Sequence, residues 1–82
     1  MEHWLKTWPV YFQALWDGRK TFEIRKNDRD FKPHDILVLK EWNPETGMYS
    51  GRSITATVTY ICNLPEPLDA YVGMQINISD LW

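Results

Sequence analysis

Residues 52–62, RSITATVTYIC, alternate over their whole length. Ile54, Ala56, Val58 and Tyr60 fall on one side, and Thr55, Thr57, Thr59 and Ile61 on the other. A period of two marks a strand with one face buried and the other toward solvent. A strand's backbone donors and acceptors need flanking partners. The remainder of an 82-residue chain must therefore supply other strands.

Candidates stand on both sides. HWLKTW, residues 3–8, reads as a first strand, followed by a helix in PVYFQALWDG that opens on Pro9, where a missing N–H costs nothing. Phe12, Leu15 and Trp16 recur at helical spacing, and Gly18 stands where a C-terminal cap needs a left-handed residue. TFEIR alternates, with Phe22 and Ile24 assigned to the core and Thr21, Glu23 and Arg25 to the other face. KNDRDFKPHD is a loop, ILVLKEW a buried strand, NPETG a hairpin turn, NLPEPLDA a second loop and YVGMQINIS the last strand. The expected core is Phe22, Ile24, Leu37, Leu39, Val58 and Ile76, with Trp4 and Trp16, and Trp82 docks to hold the final strand. Five strands and one early helix give the α+β class. The expected fold is a small, mostly antiparallel barrel or sheet forming one domain over residues 1–82.

Composition excludes several functions. Cys62 is the only cysteine, so no internal disulfide forms, and its alternating apolar run reads as a buried structural thiol. His3 and His34 lie far apart, and Asp28 and Asp30 flank Arg29 without further ligands, so no metal and no cofactor are expected. No apolar run is long enough for a membrane span, and MEHWLKTW lacks the apolar centre of a signal peptide. The expected location is cytoplasmic. Net charge is −2, but unevenly spread: residues 1–40 carry +2 and residues 41–82 carry −4. An anionic ligand is therefore expected on the first half.

Within that half the charges concentrate in GRKTFEIRKNDRDF, residues 18–31. Glu23 and Arg25 share a strand face, and Lys20 sits at the helix–strand junction. The pattern Gly18-x-Lys20-x-x-Glu23-x-Arg25 resembles the signature of the ASCH domain, a branch of the PUA-like β-barrel superfamily. RKNDRDF, DILVLKEWNPETGMYSGR and the alternating strand resemble one subgroup, DUF3850, over nearly the whole chain. The resemblance implies a PUA-like barrel with a cleft between the early helix and the sheet, taking RNA or a nucleotide-like ligand. Lys20, Glu23 and Arg25 would line it, with Lys26, Asn27 and Arg29 at its rim. Some small ASCH proteins remove the acetyl group from N4-acetylcytidine with a lysine, a threonine and a later glutamate. Lys20 matches the lysine, Glu23 replaces the threonine, and only Glu66 is placed to act as the glutamate.

The residues themselves leave several readings open. Lys20 and Arg25 offer donors to phosphate or base oxygens, and Glu23 accepts from an amine or orients the arginine. Bases of single-stranded RNA also stack on aromatic rings, which Trp8, Trp42 or Tyr49 would supply, Trp42 being the best placed of them. A lysine acting as base or nucleophile must first lose its proton, which a neighbouring glutamate opposes. The bland reading is an internal Glu23–Arg25 salt bridge, and a third class of function is protein interaction through the acidic second half.

Overall fold

The computed structural model describes residues 1–82. Its elements are β1 (Glu2–Thr7), α1 (Pro9–Trp16), β2 (Phe22–Lys26), β3 (Ile36–Asn43), β4 (Met48–Asn63) and β5 (Tyr71–Leu81). The five strands form one sheet in the order β1-β3-β4-β5-β2. β1 runs parallel to β3, from Glu2 opposite Ile36 to Thr7 opposite Glu41. Every other pairing is antiparallel. The sheet curls into a half-barrel, a small barrel-like α+β fold whose two edges are β1 and β2.

The alternating segment becomes β4, the central strand. Ile54, Ala56 and Val58 point into a core shared with Leu37 and Leu39 of β3, Val72, Met74 and Ile76 of β5, and Phe12 and Leu15 of α1. Burying a large aliphatic or aromatic side chain contributes roughly 1.5–3 kcal/mol. A short helix gains most of its stability from such a face, since eight residues barely sustain a helix alone. Pro9 opens α1, and Gly18 at φ +80° reverses the chain after it. The N–H groups of Arg19 and Lys20 then donate back to the Ala14 carbonyl at 2.9 and 3.0 Å. That reversal sends Lys20 toward the sheet edge instead of onward into solvent.

The structure corrects several expectations. Phe22 and Ile24 are exposed at 47% and 55%, and Glu23 between them is buried at 3%. Their alternation is as expected, but the charged side faces inward. β2 is an edge strand, and the buried carboxylate is compensated by Lys20 and by Arg25, whose other donors reach the Lys6 carbonyl and Thr7 Oγ1 of β1. Trp4 is exposed because β1 buries His3, Leu5 and Thr7, and Trp16 is half-buried against the core. The pairing of β4 with β5 shifts register between Val58 and Tyr60. Such a shift reverses the faces beyond it, so Tyr60 and Cys62 point outward and Ile61 packs against the core. Trp82 continues the ladder through its backbone, bonded both ways to Ser53 at 2.8 and 3.0 Å, but its ring is exposed.

A buried polar contact fixes β1 at the opposite end of the sheet from α1. His3 Nε2 lies 2.7 Å from Asp35 Oδ2, both residues are buried, and the His3 ring meets Phe31 edge-on. Burial alone would raise the Asp35 carboxyl. Hydrogen bonds from His3, the Lys32 backbone N–H and the terminal ammonium outweigh it and hold the group at about 2, against an ordinary 3.8. A lowered folded value means stability that is present above about pH 4 and lost as pH falls toward about pH 2. Unfolding free energy measured by denaturant titration should fall by on the order of 2 kcal/mol across that window. Asp35→Asn should start lower and lack that part of the slope. A full wild-type slope in the variant would contradict this assignment.

Candidate functional site

The two sheet edges do not pair strand to strand. Arg25 of β2 spans the gap instead. Its Nη1 donates to the Lys6 carbonyl and its Nη2 to Thr7 Oγ1, both at 3.1 Å, while Nε donates to Glu23 Oε2 at 2.8 Å. Arg29 adds a bond from Nη1 to the Trp4 carbonyl at 3.2 Å. Side chains of one edge thus satisfy carbonyls that an edge strand otherwise leaves open.

Above this seam lies an open cleft of about 890 Å³. Lys6 and Thr7 of β1, Trp8 and Tyr11 at the start of α1, Lys20, residues 22–25 of β2 and Tyr71 line it. Trp8 and Tyr11 stack with centroids 6.4 Å apart and form an aromatic wall. On the floor, Lys20 Nζ donates to Glu23 Oε1 at 2.5 Å and Arg25 holds the other oxygen. Lys20 Nζ also sits 5.2 Å from the Phe22 ring centroid and 5.8 Å from that of Tyr11.

The triad has one carboxylate and two cations, so it carries an excess positive charge. Both Glu23 oxygens are engaged, whereas each cation retains spare donors. Lys20 has three N–H groups and uses one on Glu23, and Arg25 has five and uses three. Chemically, the floor offers donors under an aromatic wall. It suits an acceptor-rich, flat or anionic ligand.

Lys20, Glu23 and Arg25 therefore meet in one cleft. Arg29 lines an adjoining depression. Lys26, Asn27 and Trp42 line neither: Lys26 is exposed at the end of β2, Asn27 Oδ1 accepts the Phe31 N–H and shapes the loop, and Trp42 lies half-buried under Lys6 Nζ at 4.5 Å. Sequence reasoning missed Lys6, Thr7, Tyr11 and Tyr71. For Tyr11 a signal was present, because it falls off the Phe12–Leu15–Trp16 face of α1. A second cluster also went unread: Arg52 donates to Glu41 and to Gln13 Oε1 and stacks on Phe12 and Trp16, clamping α1 to the sheet. Hydrogen bonds from Arg52 hold the Glu41 carboxyl below its usual range and raise Arg52 in turn.

A family model described as "Domain of unknown function (DUF3850)" matches residues 2–76. The chain belongs to the DUF3850 family. A protein of Escherichia phage P2, described as "Uncharacterized 12.9 kDa protein in GpA 3'region", is 36% identical over 70 residues. That match covers 85% of this DUF3850 chain and 62% of the phage protein. The matched span includes every residue of the cleft, since Lys6 through Tyr71 fall within residues 2–76. No helix is long and apolar enough to cross a membrane.

Removing the buried carboxylate should expose how the cleft is held. Glu23→Gln leaves Lys20 and Arg25 facing each other without compensation, a situation that costs about 3–5 kcal/mol when fully buried. Both cations keep some solvent contact, at 19% and 24%, so roughly 3 kcal/mol is expected from urea unfolding. Lys32→Ala, at the exposed Lys32–Asp30 pair, should change stability by less than about 0.5 kcal/mol. Equal effects in the two variants would contradict the assignment of Glu23 as the keystone of the floor.

Proposed function

We propose that this chain is an RNA- or nucleotide-binding module of the ASCH branch of PUA-like folds, with the cleft between α1 and β2 as its ligand site. The observation that carries the reading is the pairing of spare donors on Lys20 and Arg25 with the Trp8–Tyr11 wall over one cleft. Recognition of an unpaired base uses these two elements, a ring to stack on and edge hydrogen bonds. Phosphate oxygens are met by the same cations. The engaged Glu23 supports binding over hydrolysis. It stands where the acetyl-removing branch has threonine, and both of its oxygens are already committed to cations.

Titration of single-stranded RNA, followed through tryptophan fluorescence, tests the reading. With two or three phosphate contacts, log K should fall against log salt with a slope of roughly −1.5 to −2. Lys20→Met should weaken binding about ten-fold, the worth of one charged hydrogen bond. It should also lower the melting midpoint, because Glu23 Oε1 loses its partner, so binding is compared at a temperature where thermal melts show both proteins folded. N4-acetylcytidine should yield no acetate. Salt-insensitive binding unchanged in Lys20→Met would overturn the cleft assignment, and turnover abolished by Lys20→Met would replace binding with catalysis.

A further inference from the structure

The cleft continues onto the outer face of the sheet. Lys6 and Arg25 line it and also line a second depression of about 400 Å³, which adds Trp4, Leu5, Arg29, Lys40 and Tyr49. The register explains the grouping. Trp4 and Lys6 of β1 lie beside Val38 and Lys40 of β3, and Trp42 of β3 lies opposite Tyr49 of β4. Those on β1 and β3 point away from the core because the neighbours they alternate with, Leu5, Leu37, Leu39 and Glu41, point into it, and Tyr49 shares the face of its cross-strand partner Trp42.

Charge on this face is predominantly positive, with Glu2 at its border bonded to Trp4. The second depression has four cations and no carboxylate, and the two depressions together have five cations against Glu23 alone. That concentration occurs on a chain whose net charge is −2. Cations and rings are interleaved: Lys40 Nζ stands 4.8 Å from the Trp4 centroid and 5.7 Å from that of Tyr49. Trp4 and Tyr49 are 58% and 51% exposed. Glu2 Oε1 accepts the Trp4 indole N–H and so fixes the ring in place.

Resting on the reading of the cleft as a nucleotide site, we infer that its ligand is a single-stranded RNA segment several nucleotides long. One base occupies the cleft. The strand then crosses at Lys6 and Arg25, and its flanking nucleotides stack on Trp4 and Tyr49 with their phosphates on Lys40 and Arg29. Aromatic rings set along a cationic groove are how a protein follows a strand: rings accept any base, and cations track the backbone. A free nucleotide would fill the cleft and leave the outer face without a role.

The experiment compares uridine monophosphate with a short oligouridylate, on wild type, on Trp4→Ala/Tyr49→Ala and on Lys40→Gln, with thermal melts to confirm folding. Wild type should bind the oligomer at least ten-fold more tightly than the mononucleotide. The double variant should lose at least about five-fold in oligomer binding, as removal of a stacking ring implies, and keep its mononucleotide affinity. Lys40→Gln should show a shallower salt dependence for the oligomer alone. Equal affinity of wild type for the two ligands, or folded variants that bind the oligomer as wild type does, would overturn the inference and leave the cleft reading standing. Failure of both ligands to bind wild type would remove the cleft reading and the inference with it. Displacement of the oligomer by polyglutamate at equal affinity would assign the face to acidic polypeptides and overturn the inference.

Discussion

Arg25 joins two strand edges that never pair. A curled sheet of five strands leaves β1 and β2 facing each other across a gap, and open edges invite pairing with other chains. One guanidinium bridges the gap by holding Glu23 on its own strand and Thr7 and the Lys6 carbonyl on the other. Glu23 is buried because Lys20 and Arg25 both compensate it, and Lys20 reaches it because Gly18 turns the chain back after α1. The same ion network closes the seam and forms the floor of the cleft. Stability and ligand contact are therefore coupled through three side chains, and binding variants at Arg25 must always be read beside a stability measurement.

The remaining polar clusters divide the labour. His3 and Asp35 fix the first strand at one end of the sheet, while Arg52, Glu41 and Gln13 clamp α1 from the side away from the cleft. Each rests on buried carboxylates with satisfied partners, and no buried side-chain nitrogen or oxygen lacks one. That satisfaction matters in a small domain, where an unpaired buried charge would consume much of the total stability. With the helix held on both sides, Trp8 and Tyr11 stand fixed over the cleft.

Most of the fold was legible from local pattern, because the strands alternate and the helix carries its own start and stop residues. The face of β2 was not. Phe22 and Ile24 look like core in isolation, but Arg25 finds partners 18 and 19 residues earlier in the chain, across the gap on β1. No local rule reveals such a partner. On β1 a signal existed: Lys6 lies between Trp4 and Trp8 at a period of two, so that side of the strand faces solvent despite its tryptophans. The outward turn of Tyr60 and Cys62 depends on one register shift after Val58, which alternation alone cannot register. Within the site, the linear motif brought Lys20, Glu23 and Arg25 to attention. The aromatic wall and Lys6 are gathered only by tertiary structure.

The central claim is that ligand contact centres on the seam between α1, β1 and β2. Amide and indole NMR shifts of the isotope-labelled chain, followed during addition of single-stranded RNA, test it most directly. The account predicts the largest changes at Lys6, Trp8, Tyr11, Lys20, Arg25 and Tyr71, with the outward face of β4 and β5 at Thr59, Gln75 and Asn77 unmoved. Changes centred on those β4 and β5 residues, with the seam silent, would contradict it.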